Sequence, residues 1–269
     1  MIAAVLALAA PAPKATVDRF DGRGAWSWLA RQVALGPRPA GSAASRKLAS
    51  QLKAALPRGA YQPVPGGLQN VVGFVRGRDP SRYVVVAAHY DTKDLPNFVG
   101  ANDGASGTAV LVQLARTIKP RAIRPSVLFL ALDGEEAPAG VPDSDFLTSG
   151  IRGAKAAAPR YRKAQAMILL DFVGDKDLSI PRELNSDARL WAKLRAAALR
   201  VGVGSVFPSG AGPAILDDHY AFTAQGVPSI DLIDFDFPCW HRRCDNLAAV
   251  SVRSLDAVGE TMVELLRSL

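Results

Sequence analysis

The chain alternates between two hydrophobic textures. Short, nearly continuous apolar runs begin at Asn70 ("NVVGFVRG"), Tyr83 ("YVVVAAH"), Ser126 ("SVLFLAL"), Ala166 ("AMILLDFV") and Ser229 ("SIDLIDF"). Their length and apolar, often β-branched content predict buried strands. Longer stretches from Ala105 ("ASGTAVLVQLARTI"), Ser186 ("SDARLWAKLRAAALR") and Ser251 ("SVRSLDAVGETMVELLRSL") space apolar residues by three and four. These predict helices, the last two with Ser186 and Ser251 placed to cap them. Such strands alternating with helices imply a mainly parallel sheet covered on both faces, with functional groups beyond the carboxyl ends of the strands. No linker or internal repeat divides the apolar segments, so residues 16–269 read as one domain.

The strand ends carry the chemistry. His89 and Asp91 follow the run from Tyr83, "DGEE" follows the run from Ser126, Asp171 ends the run from Ala166, and His241 comes after the run from Ser229. Asp103 sits in "GANDGASG", at the opening of the helix from Ala105. Three carboxylates, Asp133, Glu135 and Glu136, crowd the end of one apolar strand, an arrangement that is costly in a low-dielectric interior without a compensating cation or donors. Two histidines with Asp103, Glu136 and Asp171 form the mixed nitrogen and oxygen set that suits Zn²⁺. Capping and loop solvation are the competing account of these acids, and Asp103 also suits a helix N-terminus. Adjacent strand residues point oppositely, so Glu135 and Glu136 can share a site only if the strand has turned, as Gly134 permits.

Charge and cysteines bear on partners and compartment. The formal charge of +7 comes from scattered arginines without interleaved aromatics, a solvated basic surface and not a nucleic-acid stripe. Residues 1–10 are apolar and precede an Ala/Pro-rich stretch through residue 15; the run is too short to span a bilayer and resembles a secretory signal that lacks its basic leader. Cys239 and Cys244 flank "WHRR" closely enough for a small disulfide loop, with free thiols or metal ligation as alternatives; the signal-like start favours the disulfide and a secreted, periplasmic or cell-envelope location.

The ordered motifs "AHYD", "NDGASG", "DGEE", "LLD" and "WH", with "LGPRPAGS" and "QNVVGFVRG" upstream, resemble the zinc-dependent exopeptidase superfamily that includes bacterial aminopeptidases and glutaminyl cyclases. The resemblance implies a single α/β/α domain with a central mixed sheet and the metal site at one sheet edge. For an aminopeptidase it implies two zinc ions held by His89, Asp103 as the bridge, Glu136, Asp171 and His241, with Glu135 as general base. For a glutaminyl cyclase it implies one zinc on Asp103, Glu136 and His241, with His89 and Asp171 behind them and Glu135, Asp217 and Asp171 handling protons. The lysine of "HYDTK" and the Asp217–Asp218 pair favour the cyclase branch; both aspartates also read as a helix N-cap before "HYAFTAQG", Asp218 above all, and His219 as a loop-orienting residue.

Trp240 and Phe237 are the candidate pocket walls, or else core aromatics. Animal cyclases place a tryptophan soon after the double glutamate, whereas "APAGVPDSDF" has none. Arg242 and Arg243 suggest a preference for downstream acidic groups. The expected substrates are peptide or protein N-termini, processed by a monomer without a stable membrane span. A catalytically silent binding module on the same scaffold is the third reading, opposed by retention of every candidate ligand and of Glu135.

Overall fold

The apolar runs become the strands of one six-stranded sheet. The computed structural model describes residues 11–269; residues 1–10 of the signal-like segment lie outside them. The strands are β1 (Ala60–Val64), β2 (Leu68–Val75), β3 (Asp79–His89), β4 (Pro125–Leu132), β5 (Met167–Leu170) and β6 (Ser229–Leu232). The hydrophobic pattern did not mark β1, which contains Pro63 and buries only Gln62 and Val64. Its edge position explains this, because a proline there interrupts no central ladder.

The strand order is β1-β2-β4-β3-β5-β6. β1 with β2 and β2 with β4 are antiparallel, whereas β3 runs parallel to β4 and β5, and β5 parallel to β6. The sheet is therefore mixed and mostly parallel. Side-chain alternation along β3 sends Val84, Val86 and Ala88 to one face and Val85 and Ala87 to the other. On the first face lie α1 (Gly22–Val33), α2 (Ala43–Ala55), α3 (Ala105–Thr117), α6 (Ala188–Arg200) and α8 (Val252–Ser268). The second face carries α5 (Arg152–Ala157) and α7 (Asp218–Thr223), with α4 (Phe146–Ser149) nearby.

Of the two serines expected to cap helices, one does so and the other does not. Ser251 caps α8, accepting from the Ser254 amide at 3.1 Å. The cap of α6 is Asp187 and not Ser186, its carboxylate accepting from the Leu190 amide at 2.7 Å. Ser186 is drawn into the core instead, donating to Glu183 Oε2 at 3.0 Å and accepting from the Asp231 amide at 2.9 Å. α3, almost wholly buried, packs between the sheet and the helices α1 and α8, which fixes its N-terminal turn over the ends of β3 and β5. The acidic groups therefore collect at the carboxyl ends of the central strands, not along an edge strand.

Candidate active site

The turn after β4 is shaped by Asp91. Its Oδ1 accepts from the amides of Gly134 at 2.9 Å and Glu135 at 3.2 Å, and its Oδ2 from that of Glu136 at 3.2 Å. Gly134 adopts φ of 76°, a left-handed conformation that suits glycine, and the strand turns there. Glu135 and Glu136 consequently border the same cavity. Arg152 supports the turn from α5 by donating to the Glu136 carbonyl at 3.0 Å. Asp133 joins the frame: it accepts from the Gln69 amide at 3.1 Å and from Ser45 Oγ at 3.4 Å.

A second turn delivers Asp103. Gly104 there has φ of 85°, and a Cβ would lie 2.5 Å from the Asp91 carbonyl oxygen. The Asp245 carboxylate accepts from the amides of Asn102 at 2.7 Å and Asp103 at 3.1 Å. Beneath them the fully buried Arg38 guanidinium donates to the carbonyls of Gln32, Gly36, Val99 and Gly100. Burial brings that guanidinium down to about 10, while nearby Asp103, Asp245 and Asp91 favour its charge. Sequence reading assigned no role to Asp91, Asp245 or Arg38. Asp91 was visible at a strand end and Arg38 within "LGPRPAGS", but their partners come from distant segments.

These frames bring the candidate ligands together in two overlapping triplets. His89, Asp103 and Asp171 form one, and Asp103, Glu136 and His241 the other; within each, one potential ligand atom per residue lies within 4.8 Å of the rest. His89 Nε2 lies 3.2 Å from Asp171 Oδ1 and 3.4 Å from Asp103 Oδ1. His241 Nε2 lies 3.5 Å from Asp103 Oδ2 and 3.3 Å from Glu136 Oε1. Asp103 thus turns one oxygen to each histidine. Its buried Oδ2, and the buried Nδ1 of His89, have no hydrogen-bond partner. Lys93 Nζ approaches Glu136 Oε2 at 3.3 Å.

Burial raises the Asp103 and Glu135 carboxyls well above the ordinary range, and the Glu136 carboxylate adds to both effects. Asp217 is pushed up to about 7, by burial and then by Asp171. For His89 burial opposes the charge, yet the Asp171 hydrogen bond and the surrounding acids raise it well above 6.5. Buried carboxylates crowded about two imidazoles, with an unpartnered bridging oxygen, match the donor set of a divalent cation site, and the His/carboxylate mixture fits zinc.

Asp217, not Asp218, is the N-cap of α7, accepting from the Asp218 amide. Asp218 is fully buried, and neither of its oxygens has a hydrogen-bond partner. His219 is buried away from the two triplets, with Nε2 3.3 Å from Glu183 Oε2 and Nδ1 3.7 Å from Asp231 Oδ2.

A cavity of about 330 Å³ opens over the acids, and Glu135, Asp171 and Asp217 all line it. Trp240 forms part of its wall together with Phe146, Phe172, Leu216 and Phe235. Phe237 does not: it is buried against Phe172 and Ile233, behind the lining. Phe146 stands in the segment where no tryptophan follows the double glutamate. Arg242 and Arg243 are exposed and do not line the cavity itself. An adjoining cavity of about 580 Å³, sharing Ile215, Ile233 and Phe235, is bordered by Asp175, Asp177, Glu183, Asp234 and Asp236.

Residues 70–266 match the family model described as Peptidase family M28. Among curated proteins, the chain is 28% identical over 291 residues to the glutaminyl-peptide cyclotransferase-like protein of Mus musculus, covering 90% of this chain and 75% of that one. It is also 28% identical over 238 residues to the glutaminyl-peptide cyclotransferase of Bos taurus, covering 74% of this chain and 66% of that one. Among solved structures, the glutaminyl cyclase of Tannerella forsythia superposes with a TM-score of 0.83 at 30% identity, over 93% of this chain and 99% of that chain. A leucine aminopeptidase precursor from Bacteroides thetaiotaomicron gives the same TM-score of 0.83 at 26% identity, over 95% and 99%.

Proposed function

The chain belongs to peptidase family M28, and from that premise we propose that it is a zinc-dependent glutaminyl-peptide cyclotransferase, converting N-terminal glutamine to pyroglutamate with release of ammonia. The observation that carries this reading is the meeting of Glu135, Asp171 and Asp217 on one cavity wall beside the Asp103–Glu136–His241 triplet. The similarity to a bacterial glutaminyl cyclase over almost the whole of both chains supports it.

In this assignment Asp103, Glu136 and His241 hold one zinc ion. When bound, it supplies Lewis-acid polarisation of the substrate's side-chain amide carbonyl. Glu135 takes a proton from the attacking α-amine as the new C–N bond forms at the amide carbon. It then returns that proton to the departing nitrogen, which leaves as ammonia when the old C–N bond breaks. A carboxyl whose proton affinity is raised suits both transfers near neutral pH. Asp217, pushed up to about 7, can share a proton with it at less cost than ionising both, and Asp171 lines the same cavity. Trp240, Phe172 and Phe235 line the cavity beside these acids and offer the substrate side chain an apolar surface.

The His89–Asp103–Asp171 triplet favours a second reading, a di-zinc aminopeptidase in which Glu135 activates water. The two are separated by incubating zinc-loaded protein with a peptide bearing N-terminal glutamine and with leucine peptides. Ammonia release without free amino acid is expected; free leucine without ammonia would overturn the cyclase reading. Metal content gives a second measure, one tightly held zinc per chain for cyclisation and two for peptidolysis. The Cys239–Cys244 disulfide supports function in an oxidising, extracytoplasmic compartment.

A further inference from the structure

The disulfide closes a loop of unusual content. Between Cys239 and Cys244, five positions apart, lie Trp240, a cavity wall, and His241, a candidate ligand. Asp245 follows at once, and its carboxylate holds the amides of Asn102 and Asp103. One short segment therefore fixes both the imidazole and the turn that presents the carboxylate opposite it.

His241 needs such fixing. Its φ of 53° is left-handed, a conformation that costs a non-glycine residue free energy and persists only where the surroundings enforce it. The ring is held by Trp240, with centroids 4.6 Å apart, and by the edge-on Phe98 at 6.0 Å. The half-buried Cys239 packs on the cluster of Phe172, Ile233 and Phe237, while Cys244 is exposed to solvent. One end of the bridge is thus anchored in the core and the other is open to attack by a thiolate.

We infer that Cys239 and Cys244 are positioning residues for His241, so that cleavage of their bridge by a thiol or phosphine reductant lowers the affinity of the Asp103–Glu136–His241 site for its metal. The inference rests on the metal-site assignment made above. Cleavage by thiols consumes two equivalents: one thiolate attacks a bridge sulfur to give a mixed disulfide, and a second releases it, leaving two cysteine thiols and one oxidised disulfide. A phosphine does the same with water, becoming the phosphine oxide. Opening the ring returns conformational freedom to a short loop, and loss of groups that orient a metal ligand typically costs ten- to a hundredfold in affinity.

The test is zinc affinity by chelator competition on the full chain, before and after reduction with a phosphine, which binds zinc weakly, and again after reoxidation. Wild-type protein should lose roughly tenfold or more on reduction and recover on reoxidation. His241→Ala should start weaker and lose less on reduction than wild type does, because the ligand that the bridge chiefly positions is gone and only the Asp245-held turn is left to loosen. Cys239→Ser/Cys244→Ser should match the reduced wild type, with circular dichroism reporting retention of the fold; if this variant does not fold, in situ reduction of the wild type decides. Equal affinity of oxidised and reduced wild type, alongside a weakened His241→Ala, would overturn the inference while leaving the metal site standing. Equal weakening of wild type and His241→Ala on reduction would also overturn it, by showing a general loosening. If His241→Ala binds zinc as wild type does, the metal-site assignment fails and takes the inference with it.

Discussion

Glu135 is the residue on which the proposed chemistry turns, and its position depends on Asp91 and Gly134 more than on its own neighbours in sequence. Glu135→Gln keeps the shape and removes the titratable group. The expected outcome is a loss of about 10²- to 10⁴-fold in kcat, with zinc content and melting temperature near wild type, checked by ammonia-release kinetics and metal analysis. Loss of zinc in that variant would mean that Glu135 serves as a ligand. Asp91→Ala removes the acceptor of three backbone amides around the double glutamate. It should destabilise the fold by about 1–3 kcal/mol, measured by urea titration, because those amides are buried and left unpaired.

Contact between α3 and β5 sets how the two acidic turns meet. A Cβ at Gly107 would lie 1.9 Å from the Leu170 carbonyl oxygen, one residue before Asp171. Gly107→Ala should therefore cost about 1–3 kcal/mol or more and push α3 away from the sheet, seen as a lower melting temperature together with weaker zinc binding. At this level much was readable in advance. The five apolar strands and the helices from Ala105 and Ser251 follow from period and length alone. β1 was hidden because an edge strand with Pro63 has no continuous apolar run, and the α6 cap was misplaced because Ser186 and Asp187 are both competent caps and only the core's demand for Ser186 decides between them.

For the molecule as a whole, the concentration of buried acid governs its response to metal and pH. Removing zinc with a chelator should lower the melting temperature by about 5–10 °C relative to protein with zinc at a hundredfold excess over Kd, since ligand bound only by the native state stabilises by roughly 3 kcal/mol there. Away from the ligands, burial and then Asp175 push Asp234 up to about 7. Asp256 is pushed up to about 6 by burial and then by Glu260. Folded values above the unfolded ones mean that these groups contribute stability fully below about pH 4, which is lost as pH rises through 6 to 7. Asp234→Asn should consequently gain in melting temperature on wild type at pH 8 and not at pH 4. An equal difference at both pH values would show that Asp234 does not titrate in that range.

The sequence by itself determined the strand and helix alternation, the acidic and imidazole groups at strand ends, the cysteine pair around His241, and the need for compensating positive charge, because each of these follows from local period or from the chemistry of a short motif. Tertiary structure alone decided which acids face one cavity and which are props. It separated Trp240 from Phe237, chose Asp217 over Asp218 as the cap of α7, set Arg242 and Arg243 outside the cavity, and gave Asp91, Asp245 and Arg38 their roles. The reason is physical: a side chain's partners across tens of residues depend on strand order and on backbone turns such as that at Gly134, which no local pattern of residues encodes.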